Sequence, residues 1–201
     1  MLNKVGKVQV KEGFEVLGPC ANGKALARAY SPRKQDSDGD WECAGLWGLI
    51  DTHGNWLVKP IYDDVNALKK DYNLVRKGGK RGFVDRNLKV LVAPKFDELY
   101  DISEGMAAFG EKGKLGFIDK QGKVIVQAKY KSAAPFKEGL ARVQNADGWG
   151  FIDKSGKTVI SHQYEDASSF SEGAAVVRTF DKADDSFFIN HDGSKLFTEK
   201  Y

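Results

Sequence analysis

The side chains able to do acid–base chemistry come as adjacent carboxylate pairs, Asp63-Asp64, Asp97-Glu98 and Glu165-Asp166. General acid–base catalysis needs two carboxyls that converge on one substrate with pKa values pushed apart. These pairs instead recur at one phase of a repeating pattern, each directly after an aromatic at Tyr62, Phe96 or Tyr164. Recurrence at a fixed phase makes them a solvated edge. The histidines His53, His162 and His191 have no metal-ligand spacing. No serine or cysteine occupies a nucleophile elbow. Gly78-Gly79-Lys80 and Gly110-Glu111-Lys112-Gly113 resemble phosphate-cradling loops in composition alone, because a strand pattern, not a helix, follows each. No catalytic, cofactor-binding or metal-binding set is expected, and the chain reads as a non-enzyme.

What must position these residues is an internal repeat. Trp149-Gly150-Phe151-Ile152-Asp153-Lys154-Ser155-Gly156 matches Leu115-Gly116-Phe117-Ile118-Asp119-Lys120-Gln121-Gly122 and Trp47-Gly48-Leu49-Ile50-Asp51-Thr52-His53-Gly54. A further copy, Arg81-Gly82-Phe83-Val84-Asp85-Arg86-Asn87-Leu88, lacks both the leading aromatic and the last glycine. Gly48, Gly82, Gly116 and Gly150 thereby keep one 34-residue pitch. Phe187-Phe188-Ile189-Asn190-His191-Asp192-Gly193 is a decayed fifth copy, displaced by three extra residues. Phe-x-Glu-Gly-x-Ala closes units at Phe136 to Ala141 and Phe170 to Ala175, with a weaker version at Ile102 to Ala107. A fixed period of this length marks a repeat architecture in which stacked neighbours bury what one unit cannot.

Local chemistry selects strands over helices. The segments between glycines are short and rich in Val, Ile, Phe and Trp, with no long helical stripe. Asp-x-x-Gly is the signature of a type I hairpin turn, with Gly taking φ > 0. Glycine is in excess, 22 residues in 201, while proline stands at only 5. That balance suits many tight turns better than a linker. The expected fold is all-β: about five antiparallel three-strand repeats stacked as a curved solenoid. In each unit three strands, such as Leu140 to Gln144, Trp149 to Asp153 and Lys157 to Ser161, precede a travelling stretch such as Gln163 to Ser171. Residues 1–44 form a partial first repeat with a polar hairpin insertion, 45–178 four regular repeats, and 179–201 a degenerate cap. Tyr62, Phe96, Tyr130, Tyr164, Phe136 and Phe170 are the expected inter-repeat core. The phase glycines mark either a close backbone approach or a special dihedral.

Trp-Gly-Phe-Ile-Asp-x-x-Gly, followed by a phased aromatic and Phe-x-Glu-Gly-Leu-Ala, resembles the WG β-repeat family of bacterial proteins. The resemblance is strong over about Gly45 to Val177 and weaker at both ends. It implies a binding or scaffolding role with no shared catalytic residues to carry over. Some small stand-alone members look like immunity proteins that block a competitor's toxin. The chain departs from the family pattern at Arg81 and at Ser186-Phe187, where Trp-Gly is replaced.

Repeated residues cannot encode recognition of one partner, so specificity falls to the breaks in the repeat. Tyr30 to Cys43 is a polar insertion, and Phe180 to Ser186 is a second one. Between Asn66 and Lys89 eight cations face only Asp71 and Asp85, an excess of six in a chain whose whole net charge is +3. Arg33, Trp41, Arg76 and Arg81 are the candidate partner-binding residues, being the Arg and aromatic types that dominate interfaces. The leading expectation is a cytoplasmic immunity protein bound to a cognate toxin. A scaffold or sensor for peptide or cell-envelope components comes second, and RNA binding through the basic island third. The first residues carry no apolar run, and Cys20 and Cys43 stand at unrelated positions, which fits a reducing compartment without membrane insertion.

Overall fold

A computed structural model describes residues 14–16, 23–29, 34–35, 41–42, 45–66, 71–181 and 186–196. The chain divides into two compact units, residues 1–95 and 96–201. Among the described residues every regular element is a strand, and no helix is long and apolar enough to cross a membrane.

In the first unit, β1 (Phe14–Val16), β2 (Lys24–Ala29), β5 (Trp47–Asp51) and β6 (Trp56–Tyr62) pair in that order. Between β2 and β5 the polar insertion forms its own hairpin, β3 (Lys34–Gln35) with β4 (Trp41–Glu42). The next sheet holds β7 (Asp64–Val65), β8 (Asn73–Lys77), β9 (Lys80–Val84) and β10 (Val90–Phe96), in the order β10-β9-β8-β7. These two sheets pack through Leu26, Leu49, Tyr62, Val65, Val75, Val84 and Leu88. In the second unit, β11 (Glu98–Leu99), β12 (Met106–Glu111), β13 (Lys114–Asp119) and β14 (Val124–Tyr130) form one sheet. A larger sheet follows: β15 (Ser132–Ala133), β16 (Leu140–Gln144), β17 (Trp149–Asp153), β18 (Thr158–Ala167), β19 (Ala175–Thr179) and β20 (Ser186–Ile189). Phe117 of one sheet meets Phe136 of the next, ring centroids 4.9 Å apart, and Phe151 meets Phe170 at the same distance. The phased aromatics are buried as expected, Tyr62, Phe96, Tyr130 and Tyr164 all below 8% exposure.

The three-strand unit needs one correction. A two-residue strand precedes the meander (β7, β11, β15), and the third strand does not stop near Ser161 but runs to Ala167 in β18. The travelling stretch is therefore mostly strand. Its backbone bends over the phase glycine. Trp149 pairs with Tyr164 but Phe151 pairs with Ile160, so β18 spends two extra residues opposite Gly150. A Cβ on Gly150 would sit 2.7 Å from the Ile160 carbonyl oxygen, and Gly48, Gly82 and Gly116 meet their opposing carbonyls even more closely. None of the four has a positive φ. Close backbone approach, not an unusual dihedral, is the reason for glycine there.

The turns carry the acids. One Asp153 carboxylate oxygen accepts the backbone N–H of Ser155 at 2.9 Å and of Lys157 at 3.0 Å. Asp51, Asp85 and Asp119 repeat this two-N–H pattern. The Ser155 hydroxyl on Asp153 and the Asn55 backbone N–H on Asp51 hold both carboxyls below the usual carboxylate range. Gly54, Gly122, Gly156 and Gly193 close their turns at positive φ, and Leu88 does so without being glycine, at φ 59°. A left-handed residue with a Cβ costs roughly 1–2 kcal/mol. Leu88 is 4% exposed in the apolar cluster, and burying such a side chain contributes about 1.5–3 kcal/mol. The burial offsets the strain, so the turn survives the lost glycine.

A second recurrent device joins the repeats of the second unit. Glu104-Gly105, Glu138-Gly139 and Glu172-Gly173 all have φ > 0 at both residues, as a type I′ turn requires. Glu104 then accepts the backbone N–H of Gly139 at 3.0 Å, and Glu138 that of Gly173 at 3.0 Å. Lys154 adds an ion pair to Glu104 at 3.0 Å. Lys154, followed by the Gly139 N–H, holds the Glu104 carboxyl below its usual range. His191 lies 3.1 Å from Glu138 and stacks on Phe170.

Candidate partner-binding site

The β8–β9 hairpin is where the basic island becomes geometry. Gly78 and Gly79 take φ of 57° and 76°, the two left-handed residues of a tight hairpin turn matched to strand twist. The turn fixes the register, placing Lys77 opposite Lys80 and Arg76 opposite Arg81. Successive rungs face opposite sides of the ribbon, so cations project from both faces. Like charges directly opposite in an antiparallel pair are unfavourable, and two unit charges 4 Å apart in water repel by about 1 kcal/mol. Two acids flank the arrangement. Asp64 stands opposite Arg76, and Asp63 accepts the Gly79 N–H at 3.1 Å. Beside the Arg76–Arg81 rung lies a groove of about 330 Å³, walled by Asp64, Asn66, Leu74, Val75 and the two arginines.

Arg76 and Arg81 are thus brought together as cross-strand neighbours. Arg33 lies outside the described residues, as do Lys69, Lys70 and both cysteines. Trp41 is placed by its backbone alone, opposite Gln35 in β4. In the later insertion Phe180 is 59% exposed. The carboxylate pairs lie on the surface, with Asp64, Asp97, Glu98, Glu165 and Asp166 exposed and Asp63 half-buried. What sequence reasoning missed is a local use: Asp63 holds the tip of the basic hairpin through the Gly79 N–H. The signal was present in the phase, since Asp63-Asp64 precede β8 as Asp97-Glu98 precede β12. His162, stacked on Tyr130 at 5.8 Å, has its pKa lowered by burial and belongs to packing between repeats. Tyr72, the aromatic nearest the basic hairpin in sequence, is half-buried and packs edge-on to Phe83 at 5.2 Å.

No curated protein matches the sequence. A solved eukaryotic initiation factor structure is similar at 13% identity and TM-score 0.46, over 77% of this chain and 49% of that one. BamB from Moraxella catarrhalis is similar at 12% identity and TM-score 0.41, over 94% of this chain and 71% of that one. The chain spans about half the length of the first of these structures, and both scores are too low to argue from. The family model described as "WG containing repeat" matches four times in succession, at residues 47–80, 82–114, 116–148 and 149–182. These are the units whose glycines, acid turns and stacked aromatics are set out above, and the match suggests a repeat-based protein-interaction module. The chain belongs to the WG repeat family.

Proposed function

We propose that this chain is a cytoplasmic, non-enzymatic immunity protein whose β8–β9 hairpin meets an acidic surface on a cognate toxin. The observation that carries the reading is the pair of like-charge rungs, Arg76–Arg81 and Lys77–Lys80, built on a turn that needs neither. Four cations gathered on one hairpin make a surface suited to an acidic partner. Arginine beside a groove is also the residue type that dominates interface energetics. A scaffold or sensor role would use the same hairpin on a peptide or envelope component. RNA binding ranks below both, because the island holds only two aromatics, Phe83, which is buried, and Tyr72, which is half-buried beside it.

The test begins with capture of partners from the native host and their identification by mass spectrometry, followed by titration of the purified pair. Replacing Arg33, Trp41, Arg76 and Arg81 together by alanine is expected to weaken the complex by a few kcal/mol with the fold intact. A folded quadruple variant with unchanged affinity would move recognition to the carboxylate edge at Asp63, Asp97 and Glu165. A captured toxin whose activity the chain abolishes is the expected result, while a captured envelope or peptide ligand would favour the scaffold.

A further inference from the structure

The same rung of the hairpin occurs five times in this chain, and its occupants differ. Arg28 faces Trp47, Arg76 faces Arg81, Gly110 faces Leu115, Gln144 faces Trp149, and Arg178 faces Ser186. In the first rung the Arg28 guanidinium carbon lies 5.8 Å from the centroid of the Trp47 ring, within range of a cation–π contact. In the last rung the arginine is kept but the ring is gone. Arg178 is 38% exposed along its side chain and is oriented by Glu165, whose carboxylate accepts its Nε–H at 3.1 Å. Beside it opens a groove of about 340 Å³, walled by Arg142, Asp166, Ser168, Val176, Arg178 and Ser186 among others.

The groove of about 330 Å³ at Arg76–Arg81 occupies the same phase. Both repeats that lack an apolar residue at the Trp position therefore carry a recess of about one size next to it. In the Leu115 repeat the corresponding surface is covered differently. Glu98 lies against Gly110 there and accepts the Tyr100 hydroxyl at 2.8 Å.

We propose that the Arg178–Ser186 groove is a binding site for an aromatic side chain presented by a partner protein, which lies against Arg178 as Trp47 lies against Arg28. The internal repeats supply the argument for the occupant, since a ring fills this rung wherever the chain provides Trp. A cavity of this volume is at the lower end of ordinary ligand sites and suits one ring. Asp166 donates nothing but can accept, so an indole N–H or phenol O–H finds a partner at the wall, and Trp or Tyr is preferred to Phe. Glu165 fixes the guanidinium in advance, which limits the entropy lost on binding. The assignment rests on reading the chain as a protein-binding module, and on neither the basic hairpin nor a toxin.

The experiment uses N-acetyl-tryptophanamide as the probe, titrated into the full chain and followed by backbone amide NMR. Saturable shifts confined to Ser168, Val176 to Arg178 and Ser186 are expected, with N-acetyl-leucinamide giving none. Ser186→Trp supplies the missing ring from within, so it should raise the melting temperature and weaken probe binding at least tenfold. Should that variant fail to fold, Arg178→Gln serves instead, removing the charge while keeping a side-chain N–H that the Glu165 carboxylate can accept; it should weaken the probe severalfold. Undiminished probe binding in a folded Ser186→Trp or Arg178→Gln chain overturns the proposal, as do equal responses to the two amides or no saturable shift. Failure here leaves the Arg76–Arg81 reading standing, because the probe reports on the Arg178 groove alone. Conversely, a captured partner indifferent to Arg76 and Arg81 would not alter the titration.

Discussion

The β8–β9 and β12–β13 hairpins are one backbone with two charge programmes. Both turn through two consecutive left-handed residues, Gly78-Gly79 in one and Lys112-Gly113 in the other. Both place the phase glycine, Gly82 or Gly116, hard against an opposing carbonyl. Yet where the second hairpin has Glu111 opposite Lys114 and Gly110 opposite Leu115, the first has Lys77 opposite Lys80 and Arg76 opposite Arg81. The one backbone accommodates both charge sets. Stability measurements can then separate a role of the β8–β9 cations in the fold from a role in binding.

The largest effect should fall on what the hairpins share. Gly82→Val and Gly116→Val each drive a side chain into a backbone carbonyl, and both should destabilise by more than about 3 kcal/mol. Equilibrium denaturation would show it, and a loss in only one of the two would break the equivalence. Next comes binding: alanine at Arg76 and Arg81 should cost a few kcal/mol against the captured partner, whereas alanine at Glu111 and Lys114 should leave titration curves unchanged.

Turn acids act in every repeat alike. Asp153→Ala should cost about 1 kcal/mol at neutral pH, as loss of a capping side chain does. The sign of its pH dependence follows from the lowered pKa. A carboxyl depressed on folding stabilises above its unfolded pKa of about 4 and loses that contribution as pH falls through the folded value. The gap between wild type and variant should therefore close below about pH 4 in thermal melts. A gap that stays constant into acid would remove the electrostatic part of the argument.

The smallest effect sharpens the comparison most. Lys77→Glu would recreate the Glu111–Lys114 rung on β8–β9 and should stabilise by roughly 0.2–1 kcal/mol while weakening a partner with an acidic surface. A destabilised Lys77→Glu chain would mean that the cations serve the fold after all.

Much of this was legible in the residues because repetition averages out local ambiguity. Val or Phe in one strand says little, but glycine at a fixed phase in four copies marks a position that excludes a side chain or needs a special dihedral, and β16 and β17 fall at Leu140–Gln144 and Trp149–Asp153 as read. The length of β18 was not legible. Its second half pairs only after the bend over Gly150, and a bend of that kind is a property of the opposing strand. The two-residue strands β7, β11 and β15 were missed for a related reason, since they are too short to show alternation. For the site, the sequence could rank Arg76 and Arg81 by charge and by their place in a broken repeat. It could not show that a glycine turn makes them face each other, because register is settled in three dimensions. The vacant Trp position at Ser186 was visible as a departure, but its meaning required Arg178 to be seen across the ladder.

The carboxylate link from Glu104 to Gly139, and from Glu138 to Gly173, has a consequence for how such a gene can change. Donor and acceptor are the same pair of residue types one repeat apart, so these two junctions are interchangeable with each other. An in-frame loss or duplication of one whole repeat would rejoin a glutamate to the glycine of the next copy, and Phe117-type rings would again meet Phe136-type rings. A change of any other length would set the acceptor against the wrong residue. Selection on such a chain should therefore tolerate variation in copy number more readily than small insertions between a linked glutamate and its glycine. The two insertions it does contain fall between β2 and β5 and between β19 and β20, and neither separates a linked glutamate from its glycine.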